Sequence, residues 1–417
     1  MTNYLISSYS LIIDRILSTL LVFIIGVFLA RYYSLEDVGQ YAFFLALFGF
    51  GNLFLHLGLA GIVTKKILDN EKNILGTVYF IKLYVSIFIF FIYAFFLWFT
   101  NSFDLKIVLF SALIFLPLQV TESWYQAKVF GYILARVNII VSLFGFIGKT
   151  ILIFNEYDLV YILAIHGMQL IIQSLLMYFV YANQRTHKIR WRFNKNLASK
   201  TLKDSWPIYL GTIFAFIYLK IDILMLKAIS GLSEVGYYSI AAQLSEGWYF
   251  IPAILTSTYM PKLHNSKSFN DTSYYFQIST LSSYFVLLSY SVVLFTLLFS
   301  DSLVVFIYGE KFAATSLILQ IHIFAGIFFT LRNIFSKWLI LEELYYLSLW
   351  SQLLGALSNV ILNLLLIPIY GGIGAAIATL VSYMFASYFI LLFFRKTRKL
   401  FWIFTKSLFL IPLFKKI

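Results

Sequence analysis

No cysteine occurs among the 417 residues, which excludes disulfides and thiolate metal sites. Charge is nearly as scarce. Only 12% of the residues are charged, about half the fraction of a soluble domain. In their place, 61% are hydrophobic, too many for one water-facing globule to bury. Hydrocarbon resolves that difficulty, provided each segment satisfies its own backbone hydrogen bonds. The apolar runs are about 20 residues long rather than alternating stretches of about ten, which selects helices over a β-barrel. No cleavable leader stands out. Met1 to Ile13 has no positive n-region, and the first apolar run is long enough to span.

The expected fold is therefore an all-α integral membrane protein of about 12 spans, at 9–30, 38–63, 76–99, 105–123, 134–154, 158–182, 206–229, 236–260, 277–300, 313–335, 349–369 and 372–394. The hydrophilic stretch Asn183–Ser205 divides them into six-helix groups over 1–182 and 206–394. A basic tail, 395–417, contains the run Leu400–Phe414, which is too short to cross and is expected in the interface.

The net charge of +13 would suit nucleic acid, but its distribution does not. With the N-terminus in the cytoplasm, one side collects Lys65, Lys66, Lys72, Lys128, Arg136, Lys262, Lys267, Arg332 and Lys337. The central connection adds Arg185, Lys188, Arg190, Arg192, Lys195, Lys200 and Lys203, and the tail adds Arg395, Lys396, Arg398 and Lys399. The other side has Arg31, Lys106, Lys227 and Lys311. The positive-inside rule places both termini in the cytoplasm, and most of the charge reports topology rather than a nucleic-acid partner.

The two halves carry a weak repeat. Glu36-Asp37-Val38-Gly39-Gln40-Tyr41 and Ser233-Glu234-Val235-Gly236-Tyr237-Tyr238 each place an acid–Val–Gly–x–Tyr string at the start of a helix. Asn138, Ser142, Gly145 and Lys149 share one face of the fifth span; Gln352, Ala356, Asn359 and Asn363 repeat that spacing in the eleventh. Six spans apart means a parallel duplication, as in many secondary transporters. Simple packing of small and polar residues between helices is the favoured account of Ser142, Gly145 and Asn359.

Three stretches carry a family resemblance. Arg31–Ala42 resembles the signature between the first two helices of Wzx-type O-antigen and polysaccharide-unit flippases, a branch of the multidrug/oligosaccharidyl-lipid/polysaccharide exporter superfamily. Asp222–Leu226 with Gly231–Ser239 resembles the junction of helices 7 and 8, and Ile367–Thr379 the turn between helices 11 and 12. The order and spacing of these motifs carry the likeness over nearly the whole chain. It implies two parallel six-helix bundles in a V around a central cavity, in a bacterial inner membrane. It implies as cargo an undecaprenyl-pyrophosphate-linked repeat unit moved to the periplasmic leaflet. The partners are then membrane lipid and that cargo, with room for a polysaccharide polymerase and a chain-length regulator.

Ionisable groups inside spans are costly and mark function by default. A pyrophosphate at mid-membrane needs compensating cations. Arg15, Lys220 and Lys149, with Asn52 and His56, are the candidates for a substrate cavity, and Asp14, Asp222 and Glu246 for ion coupling or ion pairs. Against each stands a structural role: snorkelling for Arg15 and Lys149, an ion pair for Lys220, and hydrogen-bonded packing for His56 with Asn52. Lys220 and Asp222 lie on opposite faces of one helix, so at most one faces a cavity. His166 and His322 sit alone, and no metal site, cofactor or catalytic residue is expected. Gly145–Thr150 mimics the end of a phosphate-binding loop, but Leu143 stands where the first glycine belongs. Energy must then come from an ion gradient or the membrane potential. The competing readings are a drug/cation antiporter of the same fold and an O-antigen polymerase-type enzyme. The latter needs a large outer loop, and the longest expected here is Ser300–Phe312.

Overall fold

A computed structural model describes residues 2–71, 73–100, 104–183 and 191–414. Lys72, Arg185, Lys188 and Arg190 lie outside them, as do Met1 and the last three residues of the tail. Among the described residues the chain is helical throughout, without strands. The first half comprises α1 (Thr2–Tyr32), α2 (Leu35–His56), α3 (Leu59–Leu68), α4 (Ile74–Phe99), α5 (Lys106–Phe115), α6 (Thr121–Ala127), α7 (Gly131–Phe154) and α8 (Leu159–Ala182). The second comprises α9 (Lys195–Ile229), α10 (Leu232–Glu246), α11 (Phe250–Phe269), α12 (Asp271–Tyr308), α13 (Thr315–His322), α14 (Ala325–Leu341), α15 (Tyr345–Met384), α16 (Ile390–Phe393), α17 (Arg398–Leu408) and α18 (Ile411–Phe414).

Ten helical segments among the described residues are long and apolar enough to cross a membrane. Two differences reconcile that number with the twelve expected spans. The eleventh and twelfth run as one helical segment, Tyr345–Phe393, bent at Gly371. The eighth, α10 with α11, is helical but too polar to register as a span, because Glu246, Lys262 and Lys267 lie along it. The multi-pass membrane architecture stands.

Several boundaries move. The expected helix 38–63 is interrupted at Leu57 and Gly58, both at positive φ, so His56 ends one helix and Leu59 starts another. The later part of the central connection is helix: α9 begins at Lys195 and carries Lys200 and Lys203, with Pro207 inside it. Helix α12 runs through to Tyr308, which removes most of the expected outer loop at Ser300–Phe312. Arg332 and Lys337 are not loop residues. Both lie within α14, and Arg332 is buried. Lys106 is also buried, its ammonium 2.7 Å from the Asp104 carboxylate. Apolar span lengths were legible in sequence; helical continuation into polar flanks was not.

The chain divides into two compact units. The first comprises 1–34 and 44–212. Here α1 packs on α7, and α7 and α5 on α8, around a core that includes Leu59, Ile74, Trp124, Tyr125 and Met177. The second comprises 35–43 and 213–417. Here α12 packs against α14 and α17 around Tyr274, Phe285, Leu331, Phe335 and Phe404. Large apolar side chains also cover the outside, Phe88, Phe91, Phe306 and Leu365 among them, while serines, threonines and asparagines line the inside. That inversion of the soluble pattern suits a lipid solvent.

Two glycine contacts explain the repeated strings. Gly39 and Gly236, at the same place in the acid–Val–Gly–x–Tyr motif, let the first turns of α2 and α10 cross backbone to backbone within the second unit. A Cβ on Gly39 would strike the Leu232 carbonyl, and one on Gly236 would come within 2.5 Å of the Leu35 carbonyl. The motif's acid has a separate task. Glu234 accepts the Gly372 N–H at 2.6 Å, just after the bend at Gly371. A carboxylate there satisfies an amide that the bend frees and complements the positive end of the renewed helix. Gly371 itself has φ 54° and ψ −130°, a conformation essentially confined to glycine, and a Cβ there would meet the Glu234 carboxylate.

Gly371→Ala is therefore expected to cost about 1–3 kcal/mol, through strain and the lost Glu234 contact. Glu234→Gln, which keeps an acceptor, should cost less than half as much. Thermal unfolding of both variants in detergent measures the difference.

Candidate functional site

Asp222 is the most heavily bonded ionisable group in the second unit. It is fully buried in the membrane-spanning part of α9. Its Oδ2 accepts the Tyr238 hydroxyl from α10 at 2.6 Å and the Thr379 hydroxyl from α15 at 2.6 Å. Its Oδ1 accepts from the Asn363 amide at 2.5 Å. Asn363 also donates to Asn359 at 3.1 Å, and Asn359 to Ser382 at 3.3 Å. The helical spacing of Asn359 and Asn363, seen in the sequence as a polar face, thus puts Asn363 on the carboxylate and Asn359 one turn behind it, its carbonyl accepting from Asn363 and its amide donating to Ser382. The Asn363 carbonyl oxygen is buried and has no partner among the described residues. Three donors converge on one carboxylate, an arrangement that stabilises its charged form in a dry interior.

Lys220, two residues away, points elsewhere, as the helical spacing requires. Its ammonium pairs with Glu246 at 3.0 Å, and both side chains stay partly exposed, at 39% and 27%. Glu246 is the last residue of α10, where the helix breaks before α11. Lys220 and Glu246, candidates for different roles in the sequence, are one ion pair. Its worth is modest because water screens it.

In the first unit, Asp14 is buried on α1. It accepts from Asn138 at 2.8 Å and from Ser18 at 3.2 Å, and Gln173 donates to Asn138 at 2.8 Å. Arg15 is exposed beside it, and no ion pair joins the two. Asn52 is half-buried and His56 exposed at the end of α2, and the two share no hydrogen bond, contrary to the packing role considered for them. His56 instead feels the charge of Lys82, which in turn interacts with Glu122.

Lys149 does not snorkel. It is 6% exposed, donates to Gln169 at 2.9 Å and lies 3.0 Å from His166 Nδ1. Its position is informative. Lys149 corresponds to Asn363 in the repeat. Aligning the start of α8 with the segment resuming at Gly372 puts His166 in register with Thr379 and Gln169 with Ser382. Aligning Gly39 with Gly236 puts Ile25 in register with Asp222. By these sequence registers, the helices that surround Asp222 in the second unit correspond to those that carry Lys149, His166 and Gln169 in the first, where Ile25 stands at the place of Asp222.

Sequence reasoning missed two groups. Arg332 is 7% exposed and donates only to neutral acceptors, Ser351 at 2.6 Å and the Ala386 carbonyl at 3.1 Å, with its guanidinium over the Phe335 ring. Ala386 lies in a π-helical turn, Phe385–Phe389. Its place inside an expected span was the available signal. His322 is buried with both ring nitrogens unpartnered among the described residues, its ring against Tyr238. Lys149 and Arg332 are thus buried cations without a carboxylate partner among the described residues, one in each unit.

These features define an all-helical, multi-pass membrane protein with charged groups buried inside its spans. Solved structures with the same fold are transporters. A lipid II flippase, MurJ, in an inward closed conformation matches with a TM-score of 0.74 at 16% identity, over 99% of this chain and 93% of that one. An inward-facing MATE-family multidrug resistance transporter of the MOP superfamily matches at 0.67 and 14% identity, over 93% and 96%. A Vibrio cholerae MATE transporter matches at 0.64 and 14% identity, over 97% and 98%. No curated protein matches the sequence. The profile of the polysaccharide biosynthesis protein family matches residues 6–263, and the chain belongs to that family.

Asp222→Ala should strand the Tyr238, Thr379 and Asn363 donors in a dry interior and destabilise the protein by about 2–4 kcal/mol. A double-mutant cycle on Lys220 and Glu246 should give a coupling of only about 1 kcal/mol. Chemical or thermal unfolding in detergent checks both.

Proposed function

We propose that the protein is a flippase. It moves an undecaprenyl-pyrophosphate-linked repeat unit of O-antigen or a related surface polysaccharide from the cytoplasmic to the periplasmic leaflet by alternating access. The observation that carries the reading is membership of a polysaccharide biosynthesis family on an exporter fold. The uncompensated buried cations, Lys149 and Arg332, support it, because they favour an anionic cargo over a cationic one. Arg15 and the partly open Lys220 are the candidate contacts to the pyrophosphate, with Asn52 and His56 as neutral contacts.

The protein sits in the inner membrane with both termini in the cytoplasm, a placement supported by the lysine and arginine asymmetry. Movement of the anionic headgroup outward down an inside-negative potential is favourable by about 2.3 kcal/mol per charge per 100 mV. Asp222 adds a second source of drive. Binding of a cation or proton would neutralise it and change what Tyr238, Thr379 and Asn363 hold, which links the ion to the packing of α9, α10 and α15. Asp14 and its amide partners form the corresponding candidate in the first unit. A polysaccharide polymerase and a chain-length regulator are the natural consumers of the product.

The MATE-family likeness favours a second reading, a drug or cation antiporter. The test separates the two. A deletion strain should lose surface polysaccharide and accumulate lipid-linked repeat units in the inner leaflet. Unchanged polysaccharide with altered drug sensitivity would support the antiporter. In proteoliposomes, Asp222→Asn should remove stimulation by an imposed sodium or proton gradient and retain stimulation by membrane potential. Wild-type flipping indifferent to both would overturn the driving-force reading.

A further inference from the structure

Glu343 is the last acidic residue of the chain. The 74 residues after it carry cations only, and five of these cluster at Arg395, Lys396, Arg398, Lys399 and Lys406. The cluster sits on and just before α17, which follows the last span after a single 3-10 turn. Helix α17 is two-sided. Leu400, Phe401, Phe404 and Ser407 are buried, chiefly against α12. Two further ties hold it down: Tyr388 and Thr405 share a hydrogen bond of 2.8 Å, and the Tyr290 hydroxyl donates to the Leu408 carbonyl at 2.8 Å.

The opposite face is exposed and has a distinctive make-up. At 100° per residue, Arg398, Lys399, Trp402, Lys406 and Phe409 fall within an arc of about 100°. Trp402 is 59% exposed and Phe409 72%. No carboxylate pairs with the three cations; Lys399 lies over the Tyr275 ring, 3.5 Å from its centroid, and Arg398 donates weakly to the Leu392 carbonyl. A helix face turned to water has no reason to interleave a tryptophan and a phenylalanine with its charges. A face that lies where phosphates meet acyl chains does: the rings enter the interface and the cations meet the phosphates.

We infer that the outer face of α17 is a binding site for anionic glycerophospholipid headgroups of the membrane in which the protein sits. Charge complementarity selects anionic over zwitterionic lipid, because Arg398, Lys399 and Lys406 have no internal counter-ion. Continuity with the last span selects lipid over a soluble partner, because the helix leaves the membrane only one turn before the site begins. The inference goes beyond the flippase reading and does not rest on it.

The test uses full-length protein in phosphatidylcholine nanodiscs with increasing phosphatidylglycerol. The readouts are lipid retention by native mass spectrometry and the thermal unfolding midpoint. Wild type should retain phosphatidylglycerol in preference to phosphatidylcholine and gain thermal stability as its fraction rises. The triple variant Arg398→Gln/Lys399→Gln/Lys406→Gln should lose about tenfold of that preference while retaining phosphatidylcholine as before. Trp402→Ala should weaken retention of both lipids alike. If the triple variant does not fold, Lys406→Gln alone, whose side chain is exposed, should lose about threefold. Undiminished preference in the variants would overturn the proposal. So would a wild-type protein indifferent to phosphatidylglycerol, or an acidic protein that binds this face without regard to lipid. None of these readouts depends on flipping, so the fate of the cargo reading leaves this result intact.

Discussion

Hydrocarbon does not solvate polar groups, and the other features of this chain follow from that constraint. A backbone amide, a carboxylate or an ammonium inside a span must find its partner within the protein. Helices satisfy the amides wholesale. Where a helix bends, as at Gly371, a side chain must supply the acceptor, and Glu234 does. Where a charge is buried, several neighbours turn toward it, as Tyr238, Thr379 and Asn363 do toward Asp222. The interior is therefore polar and the surface apolar, and the packing is organised around a few demanding groups.

The duplication gives those groups their meaning. Two units built on one plan need not keep the same chemistry at equivalent positions. The second unit places a carboxylate at a locus lined by hydroxyls and amides. The first places Lys149 on a corresponding helix, held by His166 and Gln169. A carboxylate can exchange protons or cations, whereas a tethered ammonium is a permanent occupant. The two units therefore differ in the sign of the ionisable group they bury. Each unit also carries one buried cation without an acidic partner among the described residues.

The repeated acid–Val–Gly–x–Tyr strings combine packing and chemistry in five residues. The glycine permits a close helix crossing in both copies, and in the second copy the acid stabilises a helix restart and the tyrosine reaches Asp222. A motif that reads as a family signature is thus a set of separate physical tasks. Those tasks are spaced by the helical repeat, which is why the spacing survives where the flanking residues differ.

Composition and run length by themselves determined that the chain is helical and crosses a membrane many times, because both follow from local hydrophobicity and periodicity. The candidates Asp14, Lys149, Lys220, Asp222 and Glu246 were legible for the same reason: a charge in an apolar run is conspicuous. Their partners were not. Lys220 with Glu246, Lys149 with His166, and Asp222 with Thr379 are pairs between helices, and no local pattern encodes which helices meet. Arg332 was assigned to a loop because its charge near the end of a span resembles a topological signal; only the packing of α14 against α15 makes it an interior group. The helix breaks at Leu57–Gly58 and Gly371 and the two-sided docking of α17 were likewise decided in tertiary structure, where a bend or a face persists only if a neighbouring element satisfies it.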